Sequence, residues 1–254
     1  MKLNMPDGAS VDYEVVGSGR PLMLLHGLAL NRSIWKPVAR LFRDERLFIL
    51  PDIRGQGKST LGKANGSLVQ IADDLVRLLD HLKIEKTAIG GHSMGGYIAL
   101  AFAKNHVNRV SSIALITSNA RADSADKRAA RIEEAGKILQ EGIEPFADAM
   151  AVKLTRHLST QARVRKILLK TEPEGLSNIL KAIANRENNL GLIASLPFPM
   201  MAIFGKDDQI APVGIDVEIE RAVPAVKLVR LPGVGHMPMF EASLTLGALL
   251  MTLE

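Results

Sequence analysis

The 254-residue chain is long enough for one large α/β domain, and its 47% hydrophobic residues can fill a sizeable core. It has no cysteine, which excludes disulfides and thiolate catalysis, and its net charge of +5 is scattered, which argues against nucleic-acid binding. Because the sequence contains neither a run of eighteen apolar residues nor an apolar N-terminal segment, we expect a cytoplasmic protein without membrane contact.

The first half of the chain alternates strand and helix patterns. A typical strand pattern is the continuous apolar run at 21–25, which suits a strand buried on both faces, and a typical helix pattern is the amphipathic stretch at 67–82. The alternation predicts a mostly parallel sheet with helices on both faces. The predicted strands are 2–5, 11–16, 21–25, 46–50, 86–90 and 110–117, and the predicted helices are 35–42, 67–82 and 97–105.

The alternation stops at residue 120, and residues 120–189 contain only helical patterns rich in charge. We expect them to form a helical cap over the carboxyl edge of the sheet, with 1–119 and 190–254 as the core. Such a cap would control the preference for acyl-chain length without supplying chemistry; the alternative is a helical subdomain with no role at the site. The predicted cap helices are 123–141, 143–157, 159–171 and 174–188, and the later elements are strands 200–204 and 226–231 and helices 213–222 and 244–252.

The segment Gly91-His92-Ser93-Met94-Gly95 lies between a predicted strand and a predicted helix. In a strand–turn–helix of this kind the central serine is held in a strained conformation with its hydroxyl exposed above the sheet. The flanking glycines allow the strand and helix backbones to approach closely, and the helix N-terminus favours negative charge at the serine. Ser93 is therefore the candidate nucleophile.

A serine nucleophile needs a general base, and the base needs a group that orients it. His236 follows the last predicted strand and would lie at the same edge of the sheet as Ser93. The other five histidines have structural explanations: His26, His81, His92, His106 and His157. Two aspartates after the preceding strand, Asp207 and Asp208, could supply the acid, and the residues alone leave the choice between them open.

Several short segments together resemble the α/β-hydrolase superfamily, in particular its cap-bearing branch of carboxylesterases, enol-lactone hydrolases, haloperoxidase-like esterases and C–C bond hydrolases. The segments follow in the order of that family and cover most of the chain. They are His26-Gly27, Asp52-x-Arg54-Gly55-x-Gly57-x-Ser59, the serine turn, Gly205-x-x-Asp208-x-x-x-Pro212 and Gly235-His236.

The resemblance implies an eight-stranded α/β-hydrolase fold with the cap inserted after the sixth strand, and it selects Asp208 as the acid. It also implies an oxyanion hole made by the backbone N–H groups of Leu28 and Met94, and no metal or organic cofactor. The expected activity is that of a serine hydrolase that cleaves small to medium carboxylic esters or lactones through an acyl-enzyme on Ser93.

Departures from the family narrow the substrate. A serine in the turn argues against haloalkane dehalogenases, which carry aspartate there. Many C–C hydrolases have a glycine-rich segment where this chain has Leu28 and an aromatic residue where it has Met237, which argues against that activity. Two alternatives stay open: a C–C bond or enol-lactone hydrolase with the same triad, and a ligand-sensing protein with little turnover. We expect a small-molecule substrate and either a monomer or a homodimer. The predicted substrate-binding residues are Trp35, Met150, Ile210 and Met237.

Overall fold

The computed structural model describes residues 1–63 and 66–254. Eight strands form one sheet in the order β1-β2-β4-β3-β5-β6-β7-β8. The pairs β1–β2 and β2–β4 are antiparallel and the other pairs are parallel, which confirms the predicted sheet. The strands are β1 (Lys2–Asn4), β2 (Ser10–Val16), β3 (Arg20–Leu25), β4 (Arg46–Pro51), β5 (Thr87–His92), β6 (Val110–Ile116), β7 (Met200–Gly205) and β8 (Lys227–Leu231).

Helices cover both faces of the sheet. The helices outside residues 120–189 are α1 (Lys36–Phe42), α2 (Leu68–His81), α3 (Met94–Asn105), α8 (Leu190–Ile193), α9 (Ile215–Ala222), α10 (Pro238–Glu241) and α11 (Ser243–Met251). A Cβ built on Gly90 would lie 3.7 Å from Leu250 of α11, whereas a Cβ built on Gly91 would meet Gly95 at the start of α3. Because neighbouring residues of a strand point to opposite faces, α11 and α3 lie on opposite sides of β5. All residues of β5 are buried.

Residues 120–189, which lie between β6 and β7, contain α4 (Ala125–Glu141), α5 (Glu144–Leu154), α6 (Leu158–Leu168) and α7 (Pro173–Ala184), close to the predicted helices. Within this segment, α4 packs on α7 and α5 packs on α6. Its two ends are joined because the buried Asp123 carboxylate binds Arg186 at 2.7 Å and Arg131 at 2.6 Å. The Arg186 guanidinium also lies 4.3 Å above the ring of Tyr97 in α3. The short helices α8 and α10 were not predicted, since four residues carry too little periodicity.

Candidate active site

Ser93 lies at the sharp turn between β5 and α3, with φ 51° and ψ −114°. A Cβ on Gly91 would lie 2.3 Å from the carbonyl oxygen of Gly95, and a Cβ on Gly95 would lie 2.4 Å from that of Leu25. The close backbone approach expected from the sequence is therefore present. The Ser93 N–H donates to the Ile116 carbonyl at 2.9 Å, so the neighbouring strand β6 stabilises the strained conformation.

His236 and Asp208 form a buried pair at the same edge of the sheet. The His236 Nδ1–H donates to Asp208 Oδ2 at 2.8 Å, and the two side chains are 1% and 3% exposed. Asp208 Oδ1 also accepts hydrogen bonds from the backbone N–H groups of Ile210 and Ala211. Burial alone would raise the pKa of the Asp208 carboxyl, but the bond and charge of His236 and the two N–H groups outweigh it and lower this pKa. The carboxylate is thus ionised at neutral pH.

The neighbouring Asp207 forms no bond with His236 among the described hydrogen bonds. It is exposed, and its backbone N–H donates to the Val234 carbonyl at 2.9 Å. The geometry therefore places Asp208, and not Asp207, where it can orient the histidine. The hydrogen bonds of the described residues do not include one between the Ser93 hydroxyl and His236. Such bonds are often loose in the absence of substrate, and the catalytic assignment of all three residues stays a prediction.

The backbone of His236 is held from two sides. Its N–H donates to the Leu154 carbonyl at the end of α5 at 3.1 Å. Its own carbonyl accepts a hydrogen bond from His92 Nε2 at 2.8 Å. The segment between β6 and β7 therefore contacts the candidate base directly. The end of α5 thus lies against the loop that carries His236, and the expectation that the segment supplies no chemistry stays a prediction.

The predicted oxyanion donors lie on two elements that meet at Ser93. Met94 is the first residue of α3, and Leu28 lies in the loop after β3. Among the described hydrogen bonds, neither backbone N–H has an acceptor. Next to Leu28, Ala29 has φ 56°, and its N–H donates to Gln56 Oε1 at 3.0 Å. Gln56 thus fixes the loop that presents the Leu28 N–H, a role that the sequence did not reveal.

His26 and the glycine-rich loop after β4 have structural roles. The buried His26 accepts a hydrogen bond from the Ile53 N–H at 2.9 Å, and its Nδ1 lies 2.9 Å from the Gly27 carbonyl. Burial lowers the pKa of His26, so the ring is neutral. Arg54 binds Asp74 at 2.6 and 2.7 Å, and Asp52 binds the backbone N–H of Arg32 at 2.8 Å. These bonds fix the conformation of the loop after β4, and none of them involves Ser93, Asp208 or His236.

A cavity of about 460 Å³ extends from Leu28 beneath α4 and α5. Its apolar lining includes Ile138, Phe146 and Met150, so one predicted substrate-binding residue shares a cavity with one predicted oxyanion donor. The other three do not line it: Trp35 and Met237 are fully buried in the core, and Ile210 is half-buried beside it. A second cavity, of about 640 Å³, lies between α3 and α7. None of Ser93, Asp208 and His236 lines either cavity, and the first one reaches the site through Leu28.

Two further observations concern partners. In residues 1–63 and 66–254, no helix is both long and apolar enough to cross a membrane. Within the same described part of the chain, the side chains of His, Asp and Glu do not form a group of three or more that could hold a metal ion.

Comparisons with known proteins point to one family. The sequence profile of the alpha/beta hydrolase fold matches residues 20–132. The structure of a thermophilic esterase from Thermogutta terrifontis is similar, with a TM-score of 0.93 and 30% identity over 98% of this chain and 96% of that one. The enol-lactonase from Burkholderia xenovorans LB400 has a TM-score of 0.86 and 25% identity, with 96% and 95% of the two chains covered.

A further relative shows how varied the similar proteins are. The dihydrolipoyllysine-residue acetyltransferase component of the acetoin cleaving system of Pseudomonas putida is 29% identical over 240 residues, which are 91% of this chain. The chain spans only 62% of that relative's length. The serine turn, the eight-stranded sheet and the similarity to the esterase along almost its whole length agree: this chain belongs to the α/β-hydrolase superfamily and is a hydrolase of that fold.

Proposed function

We propose that the protein is a serine hydrolase that cleaves small to medium carboxylic esters or lactones. The observation that carries the proposal is the buried His236–Asp208 pair, with 2.8 Å between Nδ1 and Oδ2, beside the strained turn that presents Ser93. A serine becomes a nucleophile when a neutral imidazole can take its proton, and the carboxylate keeps that imidazole in the required tautomer.

The proposed reaction has two halves. Ser93 Oγ attacks the carbonyl carbon while His236 Nε2 takes the hydroxyl proton. The resulting oxyanion is bound by the backbone N–H groups of Leu28 and Met94, and the His236 proton then passes to the leaving alkoxide. Water, activated by His236, hydrolyses the acyl-enzyme and restores the serine hydroxyl. Asp208 stays ionised throughout and stabilises the imidazolium.

We assign residues 120–189 as a cap over this site. Three contacts with the core support this assignment. The Leu154 carbonyl accepts the His236 N–H, the Thr171 hydroxyl donates to the Ala29 carbonyl at 2.8 Å, and Gly175 lies directly against Gly55. The cavity that extends from Leu28 to Met150 then receives the acyl chain, because its lining is mostly apolar. Trp35, Ile210 and Met237 are proposed as the packed layer behind the pocket.

A fluorophosphonate probe tests the proposal directly. The wild type should take up one label on Ser93 and should turn over p-nitrophenyl acetate and butyrate, whereas Ser93→Ala should do neither. Ser159→Ala is the matched control, because Ser159 is an exposed serine in α6. A label on a serine other than Ser93, or a Ser93→Ala variant that keeps its activity, would overturn the assignment.

Enol-lactones are a second candidate substrate class, supported by the similarity to the Burkholderia enol-lactonase. Both classes use the same acyl-enzyme, since a lactone is an ester whose leaving alcohol stays attached to the acyl group. A substrate panel that pairs each open ester with the lactone of the same carbon number distinguishes them. Covalent labelling without sustained turnover on any panel member would instead favour a ligand-sensing role.

A further inference from the structure

His92, the residue before the candidate nucleophile, is fully buried between the parts of the site. Its ring centroid lies 5.0 Å from that of His236 and 6.5 Å from that of Trp35, which it meets edge-on. On another side it fills the space beside Gly27, where an added Cβ would lie 2.7 Å from His92 Nδ1. One imidazole therefore contacts both the loop of the candidate base and the loop that leads to the oxyanion hole.

The hydrogen bonding of His92 permits one tautomer. Its Nε2 lies 2.8 Å from the His236 carbonyl oxygen, which can only accept. Its Nδ1 is buried and has no partner among the described residues. A proton on Nδ1 would leave a buried donor unbonded and would turn a lone pair towards the carbonyl. The proton is thus on Nε2, and His92 donates to the backbone of His236.

The His236 carbonyl has no comparably short second donor among the described residues. The Thr117 hydroxyl lies 3.4 Å from this carbonyl but donates to the Ile116 carbonyl at 2.8 Å. The N–H of the same residue is held by Leu154 at 3.1 Å. The His236 backbone therefore sits between one bond from the cap and one bond from His92.

We propose that His92 is a positioning residue: it holds the His236 loop against the serine turn and keeps Gly27 and the oxyanion loop at a fixed distance from it. The proposal rests on the proposed function of Ser93 and His236. Its physical basis is that a small displacement of a catalytic group, of about 1 Å, can lower a rate by about 100-fold. Because His92 lies outside the reacting atoms, its loss should act on kcat while KM stays near its wild-type value.

The test compares His92→Gln with His92→Met, two side chains of similar length and volume. Gln keeps an N–H near the position of Nε2, whereas Met has no donor. We expect kcat to fall by about 10- to 100-fold in His92→Met with little change in KM, and His92→Gln to recover most of the loss. Thr117→Val removes the long contact with the same carbonyl together with the local bond to the Ile116 carbonyl, and it should stay close to wild type.

The outcomes separate cleanly. Equal kcat in the Gln and Met variants, whether high or low, would overturn the proposal, because the donor would then have no effect. If the Met variant does not fold, His92→Asn replaces it, since Asn has the same amide but is too short to reach the carbonyl. Recovery in Gln and not in Asn would support the proposal, and equal values would overturn it.

A readout that needs no turnover separates this proposal from the proposed function. The NMR resonance of the His236 Nδ1 proton reports its bond to Asp208 in the free protein. It should weaken or disappear in His92→Met and persist in His92→Gln, even if the wild type cleaves none of the esters. If the wild type cleaves none of the esters but the variants show this NMR pattern, the proposed function is refuted and the role of His92 is supported. An unchanged resonance in His92→Met would refute the role.

Discussion

The serine edge of the sheet and the segment at residues 120–189 are held together in different ways. At the edge, backbones touch: Gly91 faces Gly95, Gly95 faces Leu25, and His236 is bound through both its N–H and its carbonyl. In the segment, the helices pack through buried apolar side chains such as Ile138, Leu168 and Leu180, and their exposed faces carry ion pairs, of Lys137 with Glu133 and of Arg165 with Asp148. Ion pairs of this kind contribute little to stability because water screens them.

This difference separates two tasks. Backbone contacts leave no room for a side-chain change, so the edge can hold reacting groups at fixed distances. Solvated helix faces tolerate substitution, so the segment can vary the shape of the cavity beneath it. The hydrogen bond between the His236 N–H and the Leu154 carbonyl joins the serine edge to the segment. Substitutions in each region should therefore differ in their effects on activity and stability.

The largest effect should come from the acid at the serine edge. Asp208→Asn removes the charge that orients and stabilises the His236 imidazolium, and the corresponding change in the reference serine protease lowers kcat about 10⁴-fold. Asp207→Asn is the matched control, and because Asp207 is exposed this variant should retain most of the activity. Steady-state kinetics with p-nitrophenyl butyrate measures both. A greater loss in the Asp207 variant would reverse the assignment.

A pair of glycine substitutions compares the packing of the two regions. Gly95→Ala places a Cβ 2.4 Å from the Leu25 carbonyl oxygen, and forcing apart such a contact should destabilise the fold by about 3 kcal/mol or more. Gly136→Ala in α4 meets nothing within 4 Å and should stabilise the protein by about 0.5–1 kcal/mol. Urea unfolding gives both values. Equal effects would mean that the edge is no more tightly packed than the segment.

The pH dependence of stability should reveal the buried histidines of the edge. Burial, and then the neighbouring His236, lower the pKa of His92 to about 3 from 6.5. Below pH 6.5 the unfolded chain therefore binds a proton at His92 that the folded protein does not. The free energy of unfolding is thus highest above pH 6.5 and falls as the pH drops towards 3. The decline is at most about 1.4 kcal/mol per pH unit for one such group.

His92→Gln removes this contribution, so its unfolding free energy should fall less steeply between pH 6.5 and 4 than that of the wild type. The buried His26, whose pKa is also lowered, remains in the variant and keeps part of the slope. Urea titrations at several pH values provide the measurement, with His157→Gln in the helical segment as the control. Identical slopes in the His92 variant and the wild type would contradict the expectation.

The smallest effect should come from the cavity beneath α5. Met150 lines it, and Met150→Trp should shorten it, so that kcat/KM falls about 10-fold for long acyl chains and little for acetate. Val152→Trp on the same helix is the control, because Val152 is 61% exposed and does not line the cavity. The measurement is kcat/KM across p-nitrophenyl esters of increasing acyl length. An unchanged profile in the Met150 variant would remove this cavity from the substrate path.

The sequence by itself determined the fold and the position of the serine. Apolar runs and helical periodicities are local signals, and they placed each long element within a few residues of its observed bounds. The turn at Ser93 was also readable, because its glycines are required by backbone geometry within five residues. Even the meeting of His236 with that turn followed from topology, since the carboxyl ends of parallel strands share one edge of a sheet.

The tertiary structure alone decided how the neighbours of these residues are used. His92 donates to a carbonyl 144 positions away, and Leu154 binds the backbone of the candidate base from the helical segment. Trp35, expected at the substrate, is instead fully buried against the ring of His92. Such contacts join distant parts of the chain through single atoms and leave no period or spacing in the sequence, so only the packed fold shows them.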